Sequence, residues 1–96
     1  MTIHYSAREA AALLGRSYPW LDQRVRAGDF VGLDGTVIEP VRTAGGYRRF
    51  DVPTLMAIAF SCYRHRWFGM STLRSVLFEL ARAEARDNRV VCRPSG

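Results

Sequence analysis

The stretch Arg42-Thr43-Ala44-Gly45-Gly46-Tyr47-Arg48-Arg49-Phe50 decides how this chain reads. It holds three arginines, and no acid stands between Pro40 and Phe50. Gly45-Gly46 is a hairpin-turn pair, because glycine enters positive-φ turns without a Cβ penalty. Flanking residues Val37, Ile38, Val41, Tyr47 and Phe50 predict strands near Val37–Thr43 and Tyr47–Phe50. Strand alternation puts Tyr47 and Arg49 on the face opposite Phe50. Arg48 shares the side of Phe50, so it either reaches round the edge or pairs internally. A two-stranded hairpin is at best marginal alone, so this one must lie on other elements, with Phe50 as the anchor.

Upstream, the periodicity is helical. Ser6 is an N-cap, and Glu9 three residues later completes a capping box. Ala7, Ala10, Ala11 and Leu14 follow one buried stripe, and Gly15 ends the helix. Ser17 caps a second helix with Pro19 in its first turn. Leu21 and Val25 point inward, and Gly28 closes it. Two short helices joined by a few residues containing Gly are the pattern of a helix-turn-helix. On a helical wheel Gln23 and Ala27 lie opposite Leu21 and Val25. Between this unit and the hairpin, Asp34-Gly35 marks another turn.

Downstream, Asp51 caps a third helix with Pro53 in its first turn. Its stripe is Leu55, Ile58, Ala59 and Cys62, and it ends near Trp67-Phe68-Gly69. Ser71 caps a fourth, with Leu73, Val76, Leu77, Leu80 and Ala81 inward, running to about Asp87. The expected fold is mainly α with a small β-hairpin: a winged helix-turn-helix in the order helix, helix, hairpin, helix, helix. It forms one domain over residues 1–88, with 89–96 as a flexible tail.

Charge bounds the partner. Fourteen arginines, no lysine and nine acids give a net charge of +5. A basic domain suits nucleic acid, an anionic membrane or an acidic protein. Apolar runs fall far below the roughly 18 residues that span a bilayer, and the first fifteen residues do not read as a signal peptide. A cytoplasmic, nucleoid-associated location is expected. Cys62 falls on an apolar stripe and reads as a buried thiol. The cysteines show no metal or redox spacing, and no nucleophile–base pair has local support. The expectation is a non-enzyme with no cofactor and no metal.

The segment Arg42 to Phe50 resembles the wing motif of the MerR family, Arg-Thr-x-Gly-Gly-x-Arg-x-aromatic. Ser6 to Gly15 resembles that family's first helix, and Leu21 to Phe30 the end of its recognition helix. Gly69-Met70-Ser71-Thr72-Leu73 with Val76 resembles the start of its next helix. The likeness covers roughly residues 4 to 80, and the wing is its specific part. Small excisionase-like proteins share the winged fold and a similar wing. The resemblance implies binding to double-stranded DNA, with the second helix in the major groove and the wing on the backbone or minor groove.

Candidate DNA-binding residues are then Ser17, Pro19, Trp20, Gln23, Arg24 and Arg26 on the second helix. On the wing they are Arg42, Gly45, Gly46, Tyr47, Arg48 and Arg49. Gln can read adenine and Arg guanine through paired hydrogen bonds. Asp22 stands where relatives usually carry a basic residue; its options are to accept from cytosine or, the favoured one, to pair with Arg26 one turn on. Gln23 and Arg24 stand where relatives carry aromatics, and Val31 to Glu39 is longer than usual. Full regulators continue into a long dimerisation helix and an effector domain. Here self-association would use the fourth helix, Trp67 and Phe68, or DNA itself. Three readings follow: a transcriptional regulator, an excisionase that bends DNA, or a winged protein-interaction module. The expected partners are duplex DNA, a second copy in a homodimer or head-to-tail array, and a recombinase or the transcription machinery; no membrane is expected.

Overall fold

Ser6 starts the first helix by closing the expected capping box. Its hydroxyl accepts from the Glu9 N–H (3.2 Å), and its own N–H donates to the Glu9 carboxylate (2.9 Å). The computed structural model describes residues 4–42 and 44–92. The elements are β1 (His4–Ser6), α1 (Ala7–Leu13), α2 (Tyr18–Ala27), β2 (Val41–Arg42), β3 (Arg48–Asp51), α3 (Val52–Arg64) and α4 (Met70–Cys92). The described residues are thus mainly helical, with four helices and a small antiparallel sheet.

The first three helices end in the same way. Gly15 and Gly28 lie in the left-handed region, with φ of +71° and +70°. In α1 the Arg16 N–H reaches back to the Ala11 carbonyl and the Gly15 N–H to Ala12. In α2 the Asp29 and Gly28 N–H groups bond the Arg24 and Val25 carbonyls. These paired bonds satisfy carbonyls that a helix end leaves open. The third helix repeats the pattern, with Trp67 and Arg66 bonding Cys62 and Tyr63, but its left-handed residue is Arg66, at φ +64°.

The sheet has three strands, where the sequence predicts two. Its order is β1-β3-β2, with β1 pairing Tyr5 opposite Phe50 and β2 pairing Arg42 opposite Arg48. A three-residue strand before a strong capping box carries too little pattern to be read locally. It exists because the other edge of β3 offers unpaired backbone groups. The strand expected over Val37–Thr43 shrinks to Val41–Arg42, and Thr43 lies outside the described residues. Pro40 has no N–H for a ladder. Val37 instead bridges Val31, while the Ile38 N–H bonds the Phe30 carbonyl (2.8 Å). Residues 30–38 therefore form their own small loop. Its Asp34-Gly35 tip is as expected: Asp34 accepts from the Thr36 N–H (3.0 Å), and Gly35 has φ +84°. The Val31 N–H donates to the buried Ser61 hydroxyl and Arg64 donates to the Val31 carbonyl, so the loop is pinned to α3.

One core joins the elements. Ala10, Ala11 and Leu14 of α1 and Leu21 of α2 are buried with Phe30 and Phe50. Val52, Leu55, Ile58, Ala59 and Cys62 of α3 join Leu73, Val76 and Leu80 of α4 in the same cluster. The alanines of α1 let a neighbouring helix come close. Phe50 is the hairpin's anchor, fully buried between the exposed Arg49 and the half-buried Asp51.

Four expectations for the second half need correction. Helix α4 starts at Met70, so Ser71 lies in its first turn; the Gly69 carbonyl takes the first helical bond, from Leu73 (3.1 Å). Ala81 is exposed, next to the fully buried Leu80. The helix continues to Cys92, beyond the expected end near Asp87, and residues 93–96 of the expected tail lie outside the described residues. Phe68 is 5% exposed and Trp67 is half-buried, so core packing takes the two aromatics that were candidates for self-association. Among the described residues no helix is long and apolar enough to cross a membrane.

Candidate nucleic-acid interface

Helix α2 is built from both ends. The Ser17 hydroxyl accepts from the Trp20 N–H (3.3 Å), Pro19 needs no partner in the first turn, and Gly28 closes the other end. Leu21 anchors it in the core. Ser17, Pro19, Gln23, Arg26 and Ala27 are exposed, while Trp20, Asp22, Arg24 and Val25 are partly covered.

The two covered candidates belong to an aromatic cluster. The Trp20, Phe30 and Trp67 rings meet edge to face, with centroids 5.6 to 6.2 Å apart. The Arg24 guanidinium lies 5.9 Å from the Trp20 ring and 5.2 Å from the Trp67 ring, and it pairs with Asp29 at 2.9 Å. On the other side, Arg16 sits 5.1 Å from the Trp20 ring and donates to the Trp67 carbonyl (2.5 Å). His65 stacks on Trp67 at 4.4 Å. The structure thus turns Arg24 and Trp20 inward, toward the junction of α2 with the end of α3. The signal for this was Trp67-Phe68, far along the chain.

Asp22 does what its spacing predicts, and more. Its Oδ2 accepts from Arg26 Nε at 2.9 Å, one turn on. Its Oδ1 accepts from Arg48 on β3 at 2.6 Å. Arg48 is the hairpin residue that shares the Phe50 side, and it resolves its two sequence options by pairing internally. Its side chain is 16% exposed, against 70% for Arg26.

Around this pair lies a cleft of about 520 Å³ between the start of α1, the outer side of α2 and the hairpin. Arg8, Arg26, Arg48 and Arg49 line it against one acid, Asp22, with the rings of Tyr18 and Tyr47. Arg8 is absent from the sequence-based set. Its guanidinium lies 4.9 Å from the Tyr18 ring. The α1 stripe places Arg8 outside the core, but nothing in the sequence says which surface it faces. A second cleft of about 510 Å³ brings Arg42 beside Arg26, Arg48 and Gly46. Arg42, Gly45, Tyr47 and Arg49 are exposed, Tyr47 at 74%. Gly46 has φ +84°, and an added Cβ would meet nothing within 4 Å, so the turn's φ alone demands glycine there.

Burial pushes the Cys62 thiol up to about 12, which makes it a core group and no nucleophile at neutral pH. Among the described residues no group of three or more His, Cys, Asp or Glu side chains is placed to hold a metal.

Fold and site together define a small helical domain with a three-stranded antiparallel sheet and an arginine-lined cleft beside its second helix. A family model described as a domain of unknown function, DUF7229, matches residues 1–83, and the chain belongs to that family. Comparison with curated proteins and with solved structures gives no match.

Proposed function

We propose that this protein binds double-stranded DNA sequence-specifically, as a small winged helix-turn-helix transcriptional regulator resembling the MerR family. In this reading α2 enters the major groove, and the β2–β3 hairpin is the wing on the backbone or minor groove. One observation carries the reading. The start of α1, the outer side of α2 and the distant hairpin converge on one concave surface lined by four arginines and a single acid. A guanidinium presents a planar fork that matches phosphate oxygens, and a concave surface of one sign concentrates an oppositely charged partner.

Roles divide by exposure. Arg8, Arg42 and Arg49 are the phosphate contacts, with Tyr47 beside them. Gln23, exposed on the outer side of α2, is the base reader, suited to adenine. Arg24 and Trp20 hold α2 against Phe30 and the Trp67 segment that follows α3, and contribute to DNA binding only through its placement.

The test is binding of a labelled duplex across a salt series. Affinity should fall as salt rises, with a log–log slope of about 0.9 for each phosphate contact, so about three contacts' worth for each bound chain. Gln23→Ala should relax preference at one base pair and leave the slope alone, since base contacts carry sequence information and phosphate contacts do not. Absence of binding to any duplex at low salt removes the reading.

A further inference from the structure

Resting on the DNA reading above, we infer that Asp22 is a positioning residue that clamps the wing to the recognition helix and lowers sequence-blind attraction to phosphate. The carboxylate divides its two oxygens between two elements, Oδ1 to Arg48 of β3 and Oδ2 to Arg26 of α2. Residues 22 and 48 are 26 apart in sequence, and the connection between α2 and β2 includes the separate loop over residues 30–38. The β1–β3 pairing and the buried Phe50 seat the base of the hairpin, while that connection does not itself set the hairpin's angle to α2. The Asp22–Arg48 bond crosses that gap with side chains only 21% and 16% exposed. A charge-assisted bond shielded from water is stronger and more directional than a surface pair.

The same bond has an electrostatic consequence. A carboxylate at the floor of a phosphate-binding cleft repels phosphate. It also occupies two of the four cleft arginines, which would otherwise attract any duplex. Specificity is the difference between affinities for right and wrong sites. A residue that suppresses the common, sequence-blind part while fixing the wing raises that difference. Arg48 then acts on Asp22 as the clamp's other arm, and the phosphate contacts fall to Arg8, Arg42 and Arg49.

The experiment measures the full chain by fluorescence anisotropy on two probes, a random-sequence duplex and a site selected from a random pool. The variants are Asp22→Asn, Arg48→Gln and the exchanged pair D22R/R48D, each checked for folding by circular dichroism. Asp22→Asn should bind the random duplex several-fold tighter at low salt and discriminate less. Its salt slope should steepen by about 0.9 for each arginine released onto phosphate. Arg48→Gln should lose discrimination with its slope unchanged, and the exchanged pair should recover part of the discrimination. A slope flattened by about 0.9 in Arg48→Gln marks Arg48 as a phosphate contact and overturns the inference. So does an Asp22→Asn variant that matches wild type on both probes. Should Asp22→Asn fail to fold, the slope of Arg48→Gln decides alone. If wild type binds no duplex at low salt, the DNA reading falls and this inference with it; wild-type binding with unaltered variants removes the inference only.

Discussion

Replacing Arg24 by Ala should destabilise the fold and leave the preferred DNA sequence intact. The magnitude follows from its contacts. The pair with Asp29 is at 2.9 Å, with the side chains 34% and 32% exposed. At that exposure solvent screens it to about 0.5 kcal/mol. Two indole faces, 5.9 and 5.2 Å from the guanidinium, add about 0.5–1 kcal/mol each. Against these, Arg24 Nε is buried without a hydrogen-bond partner, and its removal returns part of the gain. The net loss is about 1.5 kcal/mol, and at about 4–8 °C per kcal/mol for a domain this small, Tm should fall by about 6–12 °C. Thermal unfolding followed by circular dichroism measures this, with Arg24→Met retaining part of the stem packing. A Tm within about 2 °C of wild type, together with a changed base preference, refutes the inward placement of Arg24.

Other outcomes follow from single observations. Arg66→Gly should raise stability by about 1 kcal/mol, read as an upward shift in the denaturation midpoint, because Arg66 holds a left-handed φ of +64° at a position where glycine carries no Cβ penalty. Hydrogen bonds from the Thr54 side chain and backbone lower the Asp51 pKa, so its stabilisation is complete above the unfolded value near 4 and is lost as pH falls through the folded one. The stability gap between wild type and Asp51→Asn should therefore be widest near neutrality and close in acid, as denaturant titrations at several pH values will show. Cys62, fully buried with its pKa pushed up to about 12, should react with a thiol reagent only as fast as the protein opens, so its labelling rate should rise sharply across the unfolding transition.

Local chemistry made most of the fold legible. The Ser6, Ser17 and Asp51 caps, the left-handed glycines at 15 and 28 and the Asp34-Gly35 turn act within a few residues, and each stands as its spacing predicts. The site was legible only in part. Exposed positions such as Gln23, Arg42 and Arg49 follow from helical and strand periodicity. The positions read differently in three dimensions are those whose partners are distant. Arg24 meets Trp67, Arg48 meets Asp22, and Arg8 meets Tyr18 across the α1–α2 turn.

By itself, then, the sequence determined the caps that start the first three helices, the glycines that close the first two, the core of each buried stripe and where the basic hairpin turns; the ends of α3 and α4 moved from their expected places. Those outcomes depend on capping, periodicity and glycine φ, all properties of neighbouring residues. Only the tertiary structure decided which arginines remain outward-facing. A guanidinium can stack on an indole, bind a carboxylate or face solvent with little difference in local backbone conformation. Which of these it does depends on what the rest of the chain brings within about 4–6 Å of it.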